Sequence, residues 1–503
     1  MNYELRIMNL KKAMKKGILG ILVIMESFFL LLSMLIAILN GEEGWLCFLV
    51  TALGTTGIGS LCLFLSRRGE CRRMNRADNF LIVALSWIAF SLIGMVPYLW
   101  LAGMDVSSAF FETMSGFTTT GATCIREIDN LPRCLLFWRA ITQWIGGLGI
   151  VVFSFALIPV YEMKNSNLYS AEVTGLGLDK LRPKIGATAR RVLLIYLVLT
   201  GCCALLYWAG PMSLFDACCH AFSTIATGGF STHTDSIAYF HSSYVEYVAS
   251  LFMIVSSINF SLYYYLSIRR SRVLFQNEEV RVFLGYLAVA VVGFVLLFYF
   301  APVPDSARDT LPHGFEETVR SALFHVSSVA TSTGFSAQKF DYVSWGASFW
   351  MPTVVIMAIG ACAGSTAGGI KMIRIIICAK SVLNELILML HPRAVLGVRV
   401  GRQIVPEHKV RQALSFIFIY ILLVVIAMTC YSLLGADVDT ALGSSISMLS
   451  NVGPATGATG PASTFADVPA AGKWLMSAYM LIGRLEIFTV LFLLMPGYWK
   501  DRK

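Results

Sequence analysis

Long apolar runs alternate with short polar segments along nearly the whole chain. Ten of these runs are long enough to cross a bilayer, at 17–40, 44–66, 78–102, 136–160, 189–209, 243–268, 280–302, 348–376, 412–435 and 473–497, a span needing about 20 apolar residues. Between some of them lie shorter apolar stretches at 107–120, 213–227, 317–333 and 439–452. A helix of about 13 residues rises only about 20 Å, so the pattern predicts four re-entrant helices that enter and return on one side. The run at 17–40 follows a basic segment, is too long for a signal-peptide core and lacks a clear cleavage site. It reads as the first transmembrane helix.

Composition agrees with the pattern. The 503 residues are 56% hydrophobic and 14% charged, with a mean hydropathy of +0.70. The chain is expected to be an all-α polytopic membrane protein whose partner is the lipid bilayer. The net charge of +9 does not call for nucleic acid, because the basic residues fall in alternate loops. Lys11, Lys12, Lys15 and Lys16 precede the first span, and basic clusters follow at 67–76, 161–191, 269–281, 377–411 and in the tail at Lys500, Arg502 and Lys503. Glu42, Glu43, Asp305, Asp309, Glu316 and Glu317 occupy the other loops. The positive-inside rule puts both termini and the basic loops in the cytoplasm, which leaves all four re-entrant stretches on the outer face. The expected organisation is a helix pair at 1–70 and four units at 71–165, 166–275, 276–395 and 396–503. Each unit reads span, re-entrant helix, glycine loop, span. The linkers leave no room for a soluble catalytic domain. Of the twelve cysteines most lie in apolar runs, and none has zinc-ligand spacing with histidine. Cys124 and Cys134 fall on the outer side and could pair.

Each re-entrant stretch ends in a related motif: TTTGAT at 118–123, ATGGFS at 226–231, STGFSA at 332–337 and NVGPAT at 451–456. Aligned on Gly121, Gly228, Gly334 and Gly453, which recur about 110 residues apart, the motifs put Thr120, Thr227, Thr333 and Val452 immediately before the glycine. Ser115, Phe222, Ser328 and Ser447 stand six residues earlier. Small residues at one such site would be explained by helix packing. Four copies on one side suggest instead a ring of backbone carbonyls that replaces an ion's water shell. The candidate filter residues are Thr119, Thr120, Gly121, Ala226, Thr227, Gly228, Ser332, Thr333, Gly334, Asn451, Val452 and Gly453. Glycine permits the backbone angles of such a loop, threonine hydroxyls can steady it, and the negative C-terminal ends of the re-entrant helices favour a cation.

Two features suggest a gate below this ring. The span at 348–376 carries Gly360, Gly364, Ser365, Thr366, Gly368 and Gly369. Gly364 lies about 21 Å along it from Trp350, past mid-bilayer. A mobile loop and a packed kink are equally open on the residues alone. Lys371 follows and could snorkel to the inner surface. Arg484 sits about 15 Å into the last span, where an unpaired arginine costs at least about 2.5–3.5 kcal/mol. It should face a cavity or an ion-pair partner between units, and Glu486, on roughly the opposite helix face, is not the obvious one. Gln143 and Asn259 could line the cavity or bond across helices. Gly146, Gly147 and Gly149 follow no strand and are not a nucleotide fingerprint.

The motifs FTTTGAT, IATGGFS, TSTGFS and SNVGP, with GACAGSTAGGIKMIR at 360–374, resemble the Trk/Ktr/HKT superfamily of cation transporters along essentially the whole chain. The helix pair at 17–66 points to its TrkH-like branch of potassium uptake subunits. The resemblance implies a potassium filter at the four glycines, an obstructing intramembrane loop at 360–371 and an arginine projecting into the pore at Arg484. Plant relatives that prefer sodium replace the first glycine with serine, and Gly121 here favours potassium. After the fourth glycine this chain has PATG where relatives often have PGLG. The resemblance further implies a homodimer in the cytoplasmic membrane and a TrkA-like cytosolic nucleotide-binding regulatory subunit, with the basic loops at 161–191 and 377–411 as docking surfaces. Potassium is then the cargo, with no organic cofactor in this chain. The alternatives are a sodium-preferring or weakly selective cation transporter, or an organic-solute secondary transporter, which would place polar side chains at the bilayer midplane. No nucleophile, histidine or carboxylate cluster lies within the predicted spans, so an enzyme is not expected.

Overall fold

Backbone amides inside a bilayer have no water to bond, and this chain satisfies them with helix almost throughout. The computed structural model describes residues 2–66, 76–162, 185–267, 272–336, 341–401 and 403–495. The basic positions from 67 to 75, most of the basic loop at 161–191, Arg269, Arg270 and the tail lie outside the described residues. The chain begins with a helical hairpin, α1 (Asn2–Asn40) and α2 (Trp45–Ser66). Helices α3 (Arg76–Gly94) and α4 (Val96–Leu101) lead to the short α5 (Val106–Phe117) and the long α6 (Arg133–Glu162).

The same order then returns three times. Helix α7 (Ile185–Trp208) precedes the short α8 (Leu214–Ile225), then α9 (Ser243–Ser256) and α10 (Phe260–Ser267). After α11 (Arg272–Gln276), α12 (Glu278–Phe300) precedes α13 (Phe315–Ala330), α14 (Ala347–Ala358) and α15 (Met372–Leu390). A two-stranded hairpin, β1 (Arg399–Val400) with β2 (Gln403–Ile404), pairs Arg399 with Ile404. Helix α16 (Glu407–Leu433) then precedes α17 (Val438–Ser450), α18 (Ala470–Arg484) and α19 (Ile487–Leu494).

The short helices α5, α8, α13 and α17 fall on the four short apolar stretches of the pattern. Side-chain caps start two of them: Asp105 accepts from the amides of Ser107 and Ser108, and the Ser213 hydroxyl accepts from the amide of Asp216. Their C-terminal halves are buried almost completely, which is why apolar and small residues dominate there, while charged residues stay near the exposed starts, as with Glu316 and Glu317 on α13. Apart from Val106, every residue of α5 is buried. The long helices instead turn apolar side chains outward, among them Val289, Leu296 and Phe300 on α12 and Phe418, Ile421 and Val425 on α16, as a lipid-facing surface requires.

The spans are less regular than the pattern predicts. Among the described residues six helices are long and apolar enough to cross a bilayer, and the bent pair α18–α19 would make a seventh. Three of the ten expected spans are interrupted. The run at 243–268 breaks at Ser257–Asn259, where Asn259 Oδ1 accepts from the Ser261 amide and hydroxyl and so starts a new helix. The run at 348–376 breaks from Ile359 to Lys371. The run at 473–497 bends by 114° at Glu486, whose φ is +60°. Hydropathy averages over such breaks, because the residues that make them are few.

Candidate cation pore

All four short helices end in one backbone pattern. Thr119, Thr227, Ser332 and Asn451 are left-handed, with φ of 51°, 52°, 54° and 55°. Two residues later stand Gly121, Gly229, Gly334 and Gly453, with φ of 82°, 80°, 79° and 102°. The amide between them donates to a serine carbonyl five residues back: Thr120 to Ser115 at 2.9 Å, Gly228 to Ser223 at 2.8 Å, Thr333 to Ser328 at 2.9 Å and Val452 to Ser447 at 3.0 Å. The second motif is therefore in register on Gly229, one residue beyond the Gly228 that sequence alignment selects. Ser223 replaces Phe222 as the upstream residue, which makes all four serine. Ala226 moves out of the three-residue turn and matches Thr118, Thr331 and Ser450. A Gly–Gly pair offers two equivalent registers to the eye, and only the left-handed backbone decides between them.

These glycines close a ring. A Cβ built on Gly121 would fall within 3.0 Å of the Gly228 carbonyl oxygen, one on Gly229 of the Thr333 oxygen, one on Gly334 of the Val452 oxygen and one on Gly453 of the Thr120 oxygen. Each loop thus packs a bare Cα against the next loop's carbonyl, and the fourth returns to the first. The C-terminal, partially negative ends of four helices converge on this ring. Hydroxyl pairs steady two of the loops, Thr118 with Thr120 at 2.8 Å and Thr331 with Thr333 at 2.7 Å. Asn451 Nδ2 donates to Thr120 Oγ1 and to the Met480 carbonyl, both at 2.9 Å.

A buried ion pair backs the first two loops. Arg139 and Glu112 are 1% and 0% exposed, with Nη2 at 2.9 Å from Oε1. Glu112 also accepts from the Cys124 amide at 2.8 Å and the Thr123 hydroxyl. Arg139 donates to the Ser231 carbonyl at 2.9 Å and lies 4.2 Å over the Phe230 ring. Sequence reasoning missed this pair; a lone glutamate in a short apolar helix, with an arginine early in the following span, was the available signal. Cys124 and Cys134 are both buried and free, so the pairing considered from sequence is not formed.

On the helix-end side of the ring, residues 359–371 form a pinched loop. Gly360 donates to Ile370 O at 2.8 Å, Ile370 to Ala358 O at 3.1 Å and Met372 to Ala361 O at 3.0 Å. The structure brings Gly360, Gly364, Ser365, Thr366, Gly368 and Gly369 together here. Thr366 Oγ1 lies 3.2 Å from both Ile225 O and Thr227 Oγ1. The Gly368 amide donates to Ser332 Oγ at 2.6 Å, and a Cβ on Gly368 would collide with Ser450 O. The loop therefore touches the underside of the second, third and fourth ring segments.

Arg484 completes the contact. It is 3% exposed and donates to Thr366 O at 2.6 Å and to Gly146 O at 3.1 Å. Its partners are carbonyls, and no carboxylate pairs with it among the described residues. Glu486 pairs with Arg374 instead. Lys371 does not reach outward; its Nζ bonds back to Ala367 O. Glu279, buried in the first turn of α12, accepts from both Ala363 N at 2.8 Å and Ile373 N at 3.1 Å, holding the loop at two points. Asn259 packs against Gly364, and Phe260 N donates to Gly364 O at 3.1 Å.

Beyond the second ring segment, on the opposite side, His233 stacks on Tyr239 at 3.5 Å with 6° between planes. Its Nδ1 is 2.7 Å from Asp129 and its Nε2 is 3.6 Å from Asp216. Burial opposes the charged ring, but the two carboxylates outweigh it and raise its pKa above the ordinary histidine value. Asp129 is lowered, against its own burial, by the Thr234 hydroxyl and then His233, and Asp216 by His233 together with the Ser213 and Thr232 hydroxyls.

Long apolar helices around four buried loops that close on one another define a mostly helical polytopic membrane protein. Residues 48–499 match the profile of the TrkH family, described as "Cation transport protein". The chain is 36% identical over 490 residues to the Trk system potassium uptake protein TrkH of Salmonella typhimurium, covering 96% of this chain and 98% of that one. It is 37% identical over 487 residues to its counterpart in Halomonas elongata, with the same coverage. The crystal structure of the potassium transporter TrkH from Vibrio parahaemolyticus superposes with a TM-score of 0.85 at 32% identity, covering 98% of this chain and 99% of that one. The chain belongs to the TrkH family of cation transporters and is not an enzyme.

Two expectations follow. Replacing Glu112 with alanine strands the Arg139 charge and should cost about 3–5 kcal/mol. Melting of the purified protein in detergent should show a large drop for Glu112→Ala and a smaller one for the Glu112→Gln/Arg139→Met double variant. The His233 contribution is complete below the ordinary imidazole pKa and fades as pH rises through the raised value, whereas the Asp129 and Asp216 contributions fade as pH falls through their lowered values. Wild type should therefore lose thermal stability from pH 6 to pH 9 more than His233→Gln does; equal losses would exclude His233 as the source.

Proposed function

We propose that this protein takes up potassium across the cytoplasmic membrane, with the four loops as its selectivity filter and the 359–371 loop as its gate. The observation that carries the reading is the closed ring in which each glycine packs on the next loop's carbonyl. Backbone carbonyls gathered in a ring can replace the water shell of a bare cation. Four helix C-termini add negative potential at the same place. The relatives named as potassium uptake proteins point to the same cargo. The filter then comprises Thr119–Gly121, Thr227–Gly229, Ser332–Gly334 and Asn451–Gly453. Each lies in one of four units, 71–165, 166–275, 276–395 and 396–503, with 1–70 a peripheral helix pair.

Arg484 and the loop together obstruct the exit from this filter. The guanidinium adds a fixed positive charge beneath the ion, and Thr366 holds the loop against it. Opening requires the loop to leave its contacts with Ile225, Ser332 and Arg484, and Glu279 supplies the hinge about which it swings. In this reading both termini are cytoplasmic and the protein works as a homodimer. A TrkA-like nucleotide-binding subunit docks on the side bearing the β1–β2 hairpin and moves the loop. Potassium passes through as cargo.

Potassium uptake in cells lacking their own systems tests both parts. Gly121→Ser and Gly334→Ser each force a Cβ onto a neighbouring carbonyl and should lower potassium over sodium discrimination; unchanged selectivity in both would remove the filter assignment. Deleting residues within 363–368 should raise ion flux through correctly inserted protein, and reduced flux at normal surface levels would count against the gate.

A further inference from the structure

The second ring segment is built differently from the other three. The residue before the ring glycine is Thr120, Thr333 or Val452 elsewhere, each with a fully buried side chain, but here it is Gly228. A Cβ on Gly228 would fall within 3.0 Å of Cδ, Oε1 and Nε2 of Gln143. Gln143 belongs to α6, the helix that follows the first ring segment, and is 0% exposed. Its carboxamide thus occupies the place that a threonine or valine side chain fills in the other loops.

Both ends of that carboxamide are used. Nε2 donates to the Gly228 carbonyl at 2.7 Å, and Oε1 accepts from the Phe230 amide at 3.1 Å. The two bonds bracket Gly229, the ring glycine, from either side. The Gly228 oxygen is also the one against which Gly121 packs. Gln143 therefore fixes the carbonyl that joins the first loop to the second. Two successive glycines are the most conformationally free pair a chain can contain, so this segment has the least intrinsic rigidity of the four. Only a primary amide offers a donor and an acceptor in this spacing. A carboxylate would set a second acceptor against the Gly228 carbonyl, and a leucine would satisfy neither group.

We propose that Gln143 is a selectivity-determining positioning residue, a strut from the first unit that replaces the missing side chain of the second loop. The proposal rests on the reading of the ring as the potassium filter. Without the strut the Gly228–Gly229 segment relaxes, and the ring can close around the smaller sodium ion. The strut also accounts for the double glycine: a side chain at 228 and a glutamine at 143 exclude each other.

The test is competitive potassium and sodium uptake, in cells lacking their own systems, by Gln143→Leu, Gln143→Ala, Gly228→Thr and Gln143→Ala/Gly228→Thr, with surface level and monodispersity measured for each. Gln143→Leu and Gln143→Ala should lose roughly tenfold in potassium over sodium discrimination, the scale of one or two hydrogen bonds, while reaching the membrane normally. Gly228→Thr alone should lose uptake or assembly. The double variant, which gives the second loop the threonine of the first and third, should recover discrimination beyond that of Gln143→Ala. Wild-type selectivity in Gln143→Leu, or a double variant no more selective than Gln143→Ala, overturns the proposal. The Gly121→Ser and Gly334→Ser results separate the two readings: if those variants change selectivity and Gln143→Leu does not, only the strut fails, and if none changes it, the filter itself is misassigned.

Discussion

The close approach of glycine Cα to neighbouring carbonyl in the central ring is the constraint on which the rest of the structure depends. A bare Cα is the one backbone surface that lets a second loop's oxygen come so near. That contact must be made four times and must close, so every loop needs the same left-handed residue at the same place. The residues that take it, Thr119, Thr227, Ser332 and Asn451, are polar, and in three cases their side chains bond to what lies beneath. Thr227 and Ser332 reach the 359–371 loop, and Asn451 reaches the Met480 carbonyl. The strained backbone is therefore held by the elements it touches, as buried left-handed residues require.

The surroundings follow from placing irregular backbone at the centre of a membrane protein. Such backbone persists only where its amides and carbonyls find partners inside the protein. Glu112 and Arg139 supply partners behind the first two loops, Glu279 supplies them to the 359–371 loop, and Arg484 donates to the buried carbonyls of Thr366 and Gly146. A buried arginine bonded only to carbonyls would be costly as a stabilising device. Under the proposed function it is the fixed positive charge beneath the filter. Three of the four helices that follow a ring loop are broken near this level, at Asn259, at 359–371 and at Glu486, while α6 runs on unbroken. Helix α6 thus offers a continuous wall, with Gly146 lying against Phe117 O, and the 359–371 loop fills the space beneath the ring.

Much of this was legible in the sequence because the membrane makes hydropathy a reliable measure of length. The short apolar stretches were too short to span, and they are the short helices; the glycine cluster at 360–369 left a loop and a packed kink equally open, and the helix is interrupted there. What was not legible depended on backbone angles or on single polar atoms. Gly228 and Gly229 are indistinguishable by type, and the misregister showed only as an anomalous Phe222 among serines. The breaks at Asn259 and Glu486 each turn on one residue in an apolar run. Glu112 and Arg139 lie 27 positions apart, and their pairing depends on a helix re-entering, which residue spacing alone does not encode.

The ring's symmetry is one of backbone, reached by unlike side chains. Thr118 and Thr331 brace Thr120 and Thr333 through hydroxyls of their own loops. The second loop has alanine at the bracing position and glycine at the braced one, and takes its support from another unit's helix. The fourth uses Val452, with Ser447 Oγ donating to the Gly453 carbonyl at 3.0 Å. The ring contact fixes where the carbonyls lie, not which atoms hold them, so each loop can be braced differently. Four loops of one chain can be braced by unlike partners, whereas four identical subunits would have to share every solution. The second loop is therefore the place where support has passed to a helix outside the loop, while the fourth keeps a brace of its own in Ser447.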